Sequence, residues 1–370
     1  MVPRYTALFT TLLVTAVLIG CTAGAPSPAP SPASLGERVD AVVRAAMQRS
    51  GVPAVSVGLA RGGVPIYVQS YGLADVSHGA AASPDTVFEL GSVTKQFTAA
   101  LILQLQEAGQ LHVDDPAVLY LPQYSLSAGI TLRMLLNHTS GLPDFTNFPA
   151  FQDWYVNGVA EATVLEAIGA APLDHPPATA WEYSNSNYFV LGVIIEKVTG
   201  QSYALNVQQR ILAPLGLASI TYRLPQVPPG AVGYTDSGGS VVPIRMADRS
   251  ALFAAGALSA DVKDLLGWDH ALYSGAVVSQ ASFGQMVTPA PIGMGGGSFY
   301  GFGLVLDNFA GRPRAWHNGF INGFLAYNEV FLDDGLSLAL LTNGDFIDQQ
   351  ALGDAIYDAV CNSSAYAALC

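Results

Sequence analysis

The first third of the chain shows a hydrophobic pattern that predicts a helix, two strands and a second helix. The segment GERVDAVVRAAMQRSG, residues 36 to 51, has apolar residues at helical spacing and stops at a glycine. Two strand-like runs, AVSVGLAR (54–61) and PIYVQSYG (65–72), follow, and Gly62-Gly63 between them favours a tight hairpin. The segment VTKQFTAALILQLQEAG (93–109) is largely apolar on nearly all sides, which predicts a centrally buried helix.

The rest of the chain changes from helices to strands. Residues 130 to 275 contain short helical patterns and loops, including ITLRMLLNHTSGL and NYFVLGVIIEKVTG. From residue 299 strands are predicted in FYGFGLVLD, RAWHNGF, AYNEVFL and LSLALLT, with Asp333-Asp334-Gly335 as a hairpin turn before the last. A helix over about 347–360 follows. We therefore expect an α+β (α/β sandwich) fold: an antiparallel sheet from both chain ends with flanking helices, and an inserted, mostly helical lobe over about 90–275. A site is expected in the cleft between the lobes.

The amino terminus is typical of an export signal. Arg4 precedes an uncharged, largely apolar run at 7–20, and Leu18-Ile19-Gly20-Cys21 resembles the bacterial lipobox. We expect a signal peptide at 1–20, a Pro/Ala/Ser-rich tether at 21–35, a globular domain at 36–360 and a tail at 361–370. The lipid anchor would be Cys21, which makes the protein an exported, membrane-anchored bacterial lipoprotein of the periplasm or cell surface. An ordinary secretory signal or an uncleaved anchor are the alternatives.

Composition narrows the possible partners. The 370 residues carry only 15 Lys plus Arg and a formal net charge of −13, which argues against a nucleic-acid ligand because phosphate binding needs a basic surface. Hydrophobic residues make up 51% of the chain, enough for a large core. Cys361 and Cys370 could close a small terminal loop in an oxidising compartment, or remain free thiols.

Ser92-Val93-Thr94-Lys95 is the first candidate for chemistry. Residues i and i+3 share one helical face, so the hydroxyl and the amine can meet. A serine is a weak nucleophile unless a neighbour takes its proton, and a lysine held near neutrality can do so. An N-cap serine beside a surface-reaching lysine would give the same tetrad, but a Lys on a mostly apolar helix is costly without a partner or a function.

Two further segments carry polar residues of the right type. Tyr183-Ser184-Asn185 precedes the apolar helix that begins near Asn187. A phenol beside a cationic Lys can have a lowered pKa and act as a base, and Asn can fix a Lys or a substrate amide. The same residues could instead be a helix-capping turn packed by an aromatic ring.

His317-Asn318-Gly319 lies in a strand-like segment, where a glycine lets a substrate approach the backbone. A satisfied structural histidine is the simpler explanation of His317 alone. The six histidines show no zinc-type spacing, so no metal and no cofactor is expected. No Gly-x-Ser-x-Gly sequence occurs, which argues against an α/β-hydrolase.

Together the three motifs, in this order, resemble the serine β-lactamase and DD-peptidase superfamily. The similarity is to the branch that holds class C β-lactamases, D-alanyl-D-alanine carboxypeptidases and related esterases. It covers roughly residues 36 to 360 and extends to the segments FELGSVTKQFTAALILQLQEAGQL, ITLRMLLNHTSGLPDF, WEYSNSNYFVLG, AAGALSADVKDLLGW and YGFGLVL. The resemblance implies a β-lactamase/transpeptidase-like fold.

The resemblance also implies roles for individual residues. Ser92 would attack a carbonyl and form an acyl-enzyme, Lys95 and Tyr183 would share the proton transfers, and which of them is the base stays open. Asn185 would hold Lys95 and the substrate amide. The substrate would also meet His317 and Gly319, and its oxyanion would lie between the backbone N–H groups of Ser92 and Phe320.

The third motif departs from the Lys-Thr-Gly of class A relatives. A partly charged His317 would anchor a substrate carboxylate less well than a lysine, so we expect weak β-lactamase activity. A small-molecule or peptide substrate is predicted, of the peptidoglycan D-Ala-D-Ala type or a related amide, processed beside the cell wall. A carboxylesterase on the same fold is the alternative, and a non-catalytic penicillin-recognising receptor is the second. The oligomeric state is left open.

Overall fold

In the computed structural model, which describes Met1, residues 34–222, residues 230–362 and Tyr366, the two ends of the chain meet in one eight-stranded sheet. Its spatial order is β3-β2-β1-β12-β11-β10-β9-β8, and every paired neighbour is antiparallel. Two two-stranded ribbons, β4-β7 and β5-β6, lie in the helical middle of the chain. The strands are β1 (Ala54–Arg61), β2 (Val64–Asp75), β3 (Ala80–Ala81), β4 (Phe88–Glu89), β5 (Tyr234–Asp236), β6 (Val241–Pro243), β7 (Ser259–Ala260), β8 (Phe299–Tyr300), β9 (Val305–Phe309), β10 (Arg312–Ile321), β11 (Phe324–Phe331) and β12 (Leu336–Thr342).

The first and last α-helices lie near the two ends of the described chain, and the other α-helices lie between them in sequence. One π-helical turn, Gln208–Leu212, and short 3₁₀ turns, among them Gly91–Val93 and Phe145–Asn147, complete the described helical structure. The α-helices are α1 (Leu35–Ser50), α2 (Thr94–Glu107), α3 (Leu132–Leu136), α4 (Phe151–Asn157), α5 (Glu161–Ala170), α6 (Asn185–Thr199), α7 (Tyr203–Val207), α8 (Ala213–Leu215), α9 (Arg249–Gly256), α10 (Val262–Ser274), α11 (Gln280–Met286) and α12 (Gln349–Cys361).

The first helix begins and ends where its sequence provides caps. Ser34 Oγ accepts a hydrogen bond from the Glu37 backbone N–H, and Glu37 accepts one from the Ser34 backbone, which is the reciprocal capping box. Gly51 ends the helix at φ 77°, a left-handed conformation that glycine adopts without a side-chain clash. The helix thereby presents Val39 and Val43 to the sheet, both fully buried.

The sheet is covered on both faces, which explains why its last two strands are buried along their whole length. Every residue of β11 and of β12 is buried. On one face, α1 and α12 pack their apolar residues on β1 and β12 in a separate hydrophobic cluster. On the other face the large cluster joins the sheet to α2, α6, α9 and α10. The predicted helix over 93–109 is confirmed as α2, whose residues are almost all buried.

The fold class predicted from the pattern is confirmed, with one correction in the strand boundaries. The segment FYGFGLVLD forms two strands, β8 and β9, because the chain turns at Gly303 with φ 73°. A Cβ on Gly303 would lie 2.8 Å from the Lys95 carbonyl oxygen, so this turn packs directly on α2. The predicted hairpin at Asp333-Asp334-Gly335 is present, with Gly335 at φ 71°.

Several expectations for the chain ends lie outside the described residues. These are the signal peptide, Cys21, the tether up to residue 33 and Cys370. Cys361 is disulfide-bonded, so it is not a free thiol. Within the described residues, no helix combines the length and the apolar composition needed to cross a bilayer.

Candidate active site

Ser92 lies in a short 3₁₀ turn, Gly91–Val93, that leads directly into α2. The helix proper starts at Thr94, one residue after the start predicted from the sequence, so Ser92 lies in the turn before it. Ser92 is partly exposed, whereas Lys95, one turn further on, has no exposed surface. The Ser92 hydroxyl is therefore accessible to a substrate, whereas the Lys95 amine is fully buried.

The Lys95 amine has three polar neighbours. Its Nζ lies 3.0 Å from Ser92 Oγ, 2.8 Å from Asn185 Oδ1 and 2.8 Å from the Ala255 carbonyl oxygen. The last two can only accept hydrogen bonds. A neutral amine that donates its two N–H groups to them directs its lone pair toward the third neighbour, Ser92 Oγ.

Burial lowers the pKa of Lys95 to about 7, and the nearby carboxylate of Asp144 opposes that shift. Near neutral pH a large fraction of Lys95 is therefore the free base. The pKa of Lys95 thus lies in the range that a lysine base requires at neutral pH.

Tyr183 is the second neighbour of the nucleophile. Its hydroxyl lies 2.8 Å from Ser92 Oγ, and its ring centroid is 4.9 Å from Lys95 Nζ. Burial raises the pKa of Tyr183 above its usual value. The expectation that Lys95 lowers this pKa is therefore wrong: desolvation of the phenolate dominates, and the Asp144 carboxylate raises the pKa further.

Asn185 is held from both ends of its amide. Its Oδ1 faces Lys95, and its Nδ2 donates to Asp144 Oδ2 at 2.9 Å. Asn185 is the first residue of α6, and Asp144 lies in the loop after α3. Sequence reasoning did not single out Asp144, although it lies inside the quoted segment ITLRMLLNHTSGLPDF.

His138 is a second residue that the sequence analysis missed. Its ring packs on Tyr183 with a centroid distance of 4.4 Å. Its Nδ1 accepts hydrogen bonds from the Ser184 backbone N–H at 3.3 Å and from Asn187 Nδ2 at 2.9 Å. Burial keeps the pKa of His138 well below its ordinary value, so the ring is neutral and supports Tyr183 without adding charge.

His317 lies behind Tyr183, with a centroid distance of 6.4 Å between the two rings. Both ring nitrogens are engaged: Nδ1 lies 2.6 Å from the Asn318 carbonyl oxygen, and Nε2 lies 2.8 Å from the Tyr300 hydroxyl. Burial lowers the pKa of His317 to about 3. The imidazole is therefore uncharged at neutral pH and is not part of the cavity wall.

Gly319 and Phe320 bring the edge of β10 against the nucleophile turn. A Cβ on Gly319 would lie 1.9 Å from the Leu90 carbonyl oxygen and 3.2 Å from the Ser92 backbone nitrogen. A Cβ on Gly91, itself at φ 50°, would lie 2.9 Å from the Phe320 backbone nitrogen. The two peptide groups expected to form the oxyanion site thus lie on segments in direct backbone contact.

The Ala255 carbonyl reaches Lys95 because α9 is kinked. Phe253 adopts φ 43° and ψ −136°, outside the helical region. Its ring packs on Gly192 of α6, where a Cβ would approach the ring to 2.5 Å. The sequence carries no signal for this contact, since every residue type has a carbonyl.

A cavity of about 360 Å³ opens beside Ser92. Its wall is mainly apolar, and the described residues that line it include no charged side chain. Phe320, at the mouth, is 59% exposed. The aromatic and branched aliphatic side chains of the wall are Phe145, Phe151, Tyr155, Tyr183, Leu252, Phe320 and Ile321.

The side chains around Ser92 are of the types that acyl transfer by a serine nucleophile requires. Among the described residues, no group of three or more His, Cys, Asp or Glu side chains is placed to hold a metal. A hydroxyl flanked by an uncharged amine and a phenol, beside an apolar cavity, is an arrangement for nucleophilic attack on a carbonyl.

The beta-lactamase family model matches residues 39–360. The chain belongs to the beta-lactamase family. It is thereby part of the serine β-lactamase and transpeptidase superfamily, as the three motifs implied.

Three proteins illustrate what this member of the beta-lactamase family is similar to in sequence and in fold. PbpX of Bacillus subtilis (strain 168), named as a penicillin-binding protein, is 32% identical over 291 residues, which cover 76% of this chain and 68% of that protein. A D-stereospecific amidohydrolase from Streptomyces sp. aligns with a TM-score of 0.77 and 28% identity, over 88% of this chain and 99% of that one. A D-amino acid amidase from Ochrobactrum anthropi SV3, complexed with L-phenylalanine amide, aligns at 0.78 and 25% identity, over 89% and 99% of the two chains.

Proposed function

We propose that this chain is a serine hydrolase that forms an acyl-enzyme through Ser92 and uses Lys95 as the base of acylation. The observation that carries the proposal is the environment of Lys95 Nζ, which has two acceptors at 2.8 Å and Ser92 Oγ at 3.0 Å. This geometry, with a pKa of about 7, supplies a free amine beside the hydroxyl at neutral pH.

Acylation then proceeds in two parts. Ser92 Oγ bonds to the substrate carbonyl carbon, its proton passes to Lys95 Nζ, and the carbonyl electron pair moves onto oxygen. The oxyanion is stabilised by the backbone N–H groups of Ser92 and Phe320. When the carbonyl re-forms, the bond to the leaving group breaks, and the leaving amine or alcohol takes a proton through the Tyr183 hydroxyl, where the proton held by Lys95 replaces it. Water then attacks the ester, which releases the acid and restores the Ser92 hydroxyl.

Tyr183 acts in this scheme as a proton donor or relay. Its raised pKa keeps the phenol protonated, and its hydroxyl is 2.8 Å from the oxygen that becomes the ester. A phenol at this position donates to the leaving group more readily than it accepts from Ser92. Lys95 and Tyr183 therefore divide the acid and base roles between them.

The substrate class that the site fits is a D-Ala-D-Ala-type peptide or a related D-amino acid amide. The amidohydrolase and the amidase with the same fold support an amide, and the cavity beside Ser92 suits an apolar or aromatic side chain. Because His317 is neutral, it gives no fixed positive charge to a terminal carboxylate. Within the class, the site therefore favours an uncharged amide over a carboxylate-terminated peptide.

Carboxylester hydrolysis is the second candidate. The apolar wall of the cavity and the exposed Phe320 ring favour an acyl or alcohol group without charge. An ester also has the better leaving group, so it requires less from the proton donor.

We also propose that the protein is exported and tethered to a membrane through a lipid on Cys21. The support is the apolar run at 7–20, the lipobox-like Leu18-Ile19-Gly20-Cys21 and the Pro/Ala/Ser-rich segment that follows. Metabolic labelling with an alkyne fatty acid should mark the wild type and not Cys21→Ser. Equal labelling of both would contradict the proposal.

A substrate panel tests the hydrolase. D-amino acid amides, D-Ala-D-Ala peptides, short p-nitrophenyl esters and a fluorescent penicillin would be offered to the wild type, to Ser92→Ala and to Ser237→Ala. Ser237 is exposed in the β5–β6 turn and serves as the matched control. Turnover or label should vanish in Ser92→Ala and persist in the control. Hydrolysis that survives in Ser92→Ala would contradict the proposed nucleophile, and stable penicillin label without turnover of any substrate would indicate a receptor.

A further inference from the structure

The carboxylate of Asp144 is connected to Ser92 through two side chains. Asp144 Oδ2 accepts from Asn185 Nδ2 at 2.9 Å, Asn185 Oδ1 accepts from Lys95 Nζ at 2.8 Å, and Lys95 Nζ lies 3.0 Å from Ser92 Oγ. We propose that Asp144 is a positioning residue, which fixes the orientation of the Asn185 amide and with it the direction of the Lys95 lone pair. This inference rests on the proposed function, because the orientation matters only if Lys95 acts as a base.

The amide of Asn185 needs an external group to choose its orientation. The two ends of an asparagine amide have nearly the same size and shape, and only hydrogen bonding distinguishes them. A carboxylate has no N–H to offer, so Asp144 selects the NH₂ end and leaves Oδ1 for Lys95. In the reversed orientation, Asn185 would present N–H groups to the N–H groups of Lys95, and the lone pair would have to turn away from Ser92.

Asp144 is itself held in place relative to α6. Its Oδ1 accepts from the Thr146 backbone N–H at 3.0 Å, which caps the turn Phe145–Asn147. The Phe145 backbone N–H donates to Ser186 Oγ at 3.0 Å, and the Ser186 hydroxyl donates to the Pro143 carbonyl at 2.5 Å. The two bonds to Ser186 thus tie the loop to the first turn of α6, which also carries Asn185.

Asp144 also sets the charge balance around Lys95. Burial raises the pKa of the two tyrosines near the amine and lowers the pKa of the two histidines, so all four side chains are neutral at pH 7. The Asp144 carboxylate raises the pKa of Lys95 against the effect of burial. Loss of that charge should therefore make Lys95 a weaker base. The four neutral neighbours are Tyr183, Tyr188, His138 and His317.

The sequence offers a direct measurement, because the chain has only three lysines, Lys95, Lys197 and Lys263. In protein labelled with ¹³C at lysine Cε, three signals report three titrations, and a Lys95→Arg sample assigns one of them. The variant is Asp144→Asn. The matched control is Asp153→Asn, since Asp153 also accepts from an asparagine amide, Nδ2 of Asn157 at 2.7 Å, but lies outside the chain of bonds that ends at Ser92.

We expect the Lys95 signal to titrate at a lower pH in Asp144→Asn than in the wild type, by about half a unit to one unit, and to be unmoved in Asp153→Asn. With the preferred substrate of the panel, the plateau kcat should fall by about tenfold in Asp144→Asn, and the acidic limb of the pH profile should shift in the same direction. KM should stay within about twofold, since Asp144 does not line the cavity.

A second variant guards against a folding defect. Asp144→Ser keeps an oxygen that can cap Thr146, but the shorter side chain cannot reach Asn185. Unfolding temperatures of both variants would be compared with the wild type. A folded Asp144→Ser with the kcat loss and the shifted Lys95 titration supports the inference.

The results of these experiments distinguish a failure of the Asp144 inference from a failure of the proposed hydrolase function. If the wild type shows no Ser92-dependent hydrolysis of any substrate, the proposed function fails, and a role for Asp144 in it fails as well. If the wild type is active and either folded Asp144 variant keeps the wild-type Lys95 titration and kcat, the inference about Asp144 alone is overturned.

Discussion

A Cβ atom on Gly319 would lie 1.9 Å from the carbonyl oxygen of Leu90. The two residues are far apart in sequence, yet their backbones are in contact, and only a glycine leaves room for this approach. Leu90 immediately precedes the turn that carries Ser92. The nucleophile is therefore positioned by the edge of β10 as well as by α2, which is why the sheet matters for chemistry.

Gly319→Ala should abolish most of the activity. The added methyl group must push β10 away from the nucleophile turn, which misplaces both the Ser92 and the Phe320 N–H groups, and we expect kcat/KM to fall by at least about 10²-fold. Gly284→Ala is the matched control, because Gly284 is exposed on α11 with open space around its Cβ position. Full activity in Gly319→Ala would show that the contact is not required.

The activity should depend on deprotonation of Lys95. Since the pKa of Lys95 is about 7, kcat/KM should rise by about tenfold per pH unit well below 7 and level off above it. Lys95→Arg should be inactive across this range, because a guanidinium does not give up its proton. Lys197→Arg, at an exposed position on α6, is the control. A profile that is flat from pH 5 to 8 would exclude Lys95 as the base.

His317 should not become a carboxylate anchor in mild acid. Its pKa of about 3 keeps it neutral, so the Kd of nitrocefin for Ser92→Ala should not improve as the pH falls from 7 to 5. Wild-type turnover of nitrocefin should be slow, with kcat below about 1 s⁻¹. Turnover comparable to that of a dedicated resistance enzyme, or binding that tightens in acid, would contradict this view of the third motif.

Phe320 should influence which substrates bind rather than how fast they react. Phe320→Ala keeps the backbone N–H but removes the ring from the cavity mouth, so KM for an aromatic amide or ester should rise by about tenfold. The kcat for a small acetyl ester should change by less than about twofold. Phe299→Ala removes another exposed ring, on β8, and should leave both values unchanged. Equal effects of the two substitutions would remove the specificity role.

Asp269 should make the protein less stable as the pH rises. Its Oδ1 accepts from Asn328 Nδ2 at 2.6 Å, whereas Oδ2 has no partner among the described residues. Burial raises the pKa of Asp269 well above its usual value. In the folded protein the Asp269 carboxyl keeps a proton that it loses above about pH 4 in the unfolded chain. The contribution of Asp269 to the free energy of unfolding is therefore complete below about pH 4 and declines as the pH rises.

Asp269→Asn should therefore unfold at least about 2 °C above the wild type at pH 7, and the difference should shrink toward pH 4. The exposed Asp358→Asn on α12 is the control and should follow the wild type at every pH. A lower unfolding temperature for Asp269→Asn at pH 7 would show that the carboxyl is ionised and paired in the fold.

Much of the site could be predicted because its chemistry depends on residue types at fixed spacing. Ser92 and Lys95 are one turn apart, and Tyr183 and Asn185 lie at the start of an apolar helix, so pattern and motif agreed on them. Lys95 Nζ and the Tyr183 hydroxyl both lie within 3.0 Å of Ser92 Oγ.

Other parts of the site could not be predicted, because no sequence pattern near them indicates their role. The Ala255 carbonyl reaches Lys95 only because α9 kinks at Phe253, and a backbone carbonyl looks the same in every residue. The role of Asp144 depends on the loop folding back onto α6. The pKa of Tyr183 is raised because tertiary packing removes water, and the sequence shows the neighbouring lysine but not the depth of burial.

The fold was predictable at the level of elements and their order, since strand patterns occur at both ends and helical patterns in the middle. The break between β8 and β9 was not, because a Phe-Tyr-Gly-Phe-Gly sequence is compatible with one strand. The structure bends the chain at Gly303 so that it can pass over α2.

The strand order has a consequence for biosynthesis. Strand β12, near the carboxyl end, lies between β1 and β11, so the amino-terminal hairpin has no place in the sheet until residue 342 has left the ribosome. Until then the sheet whose strand β10 contacts the nucleophile turn is incomplete. The architecture therefore predicts that the sheet is completed late in synthesis, when nearly all of the chain is available.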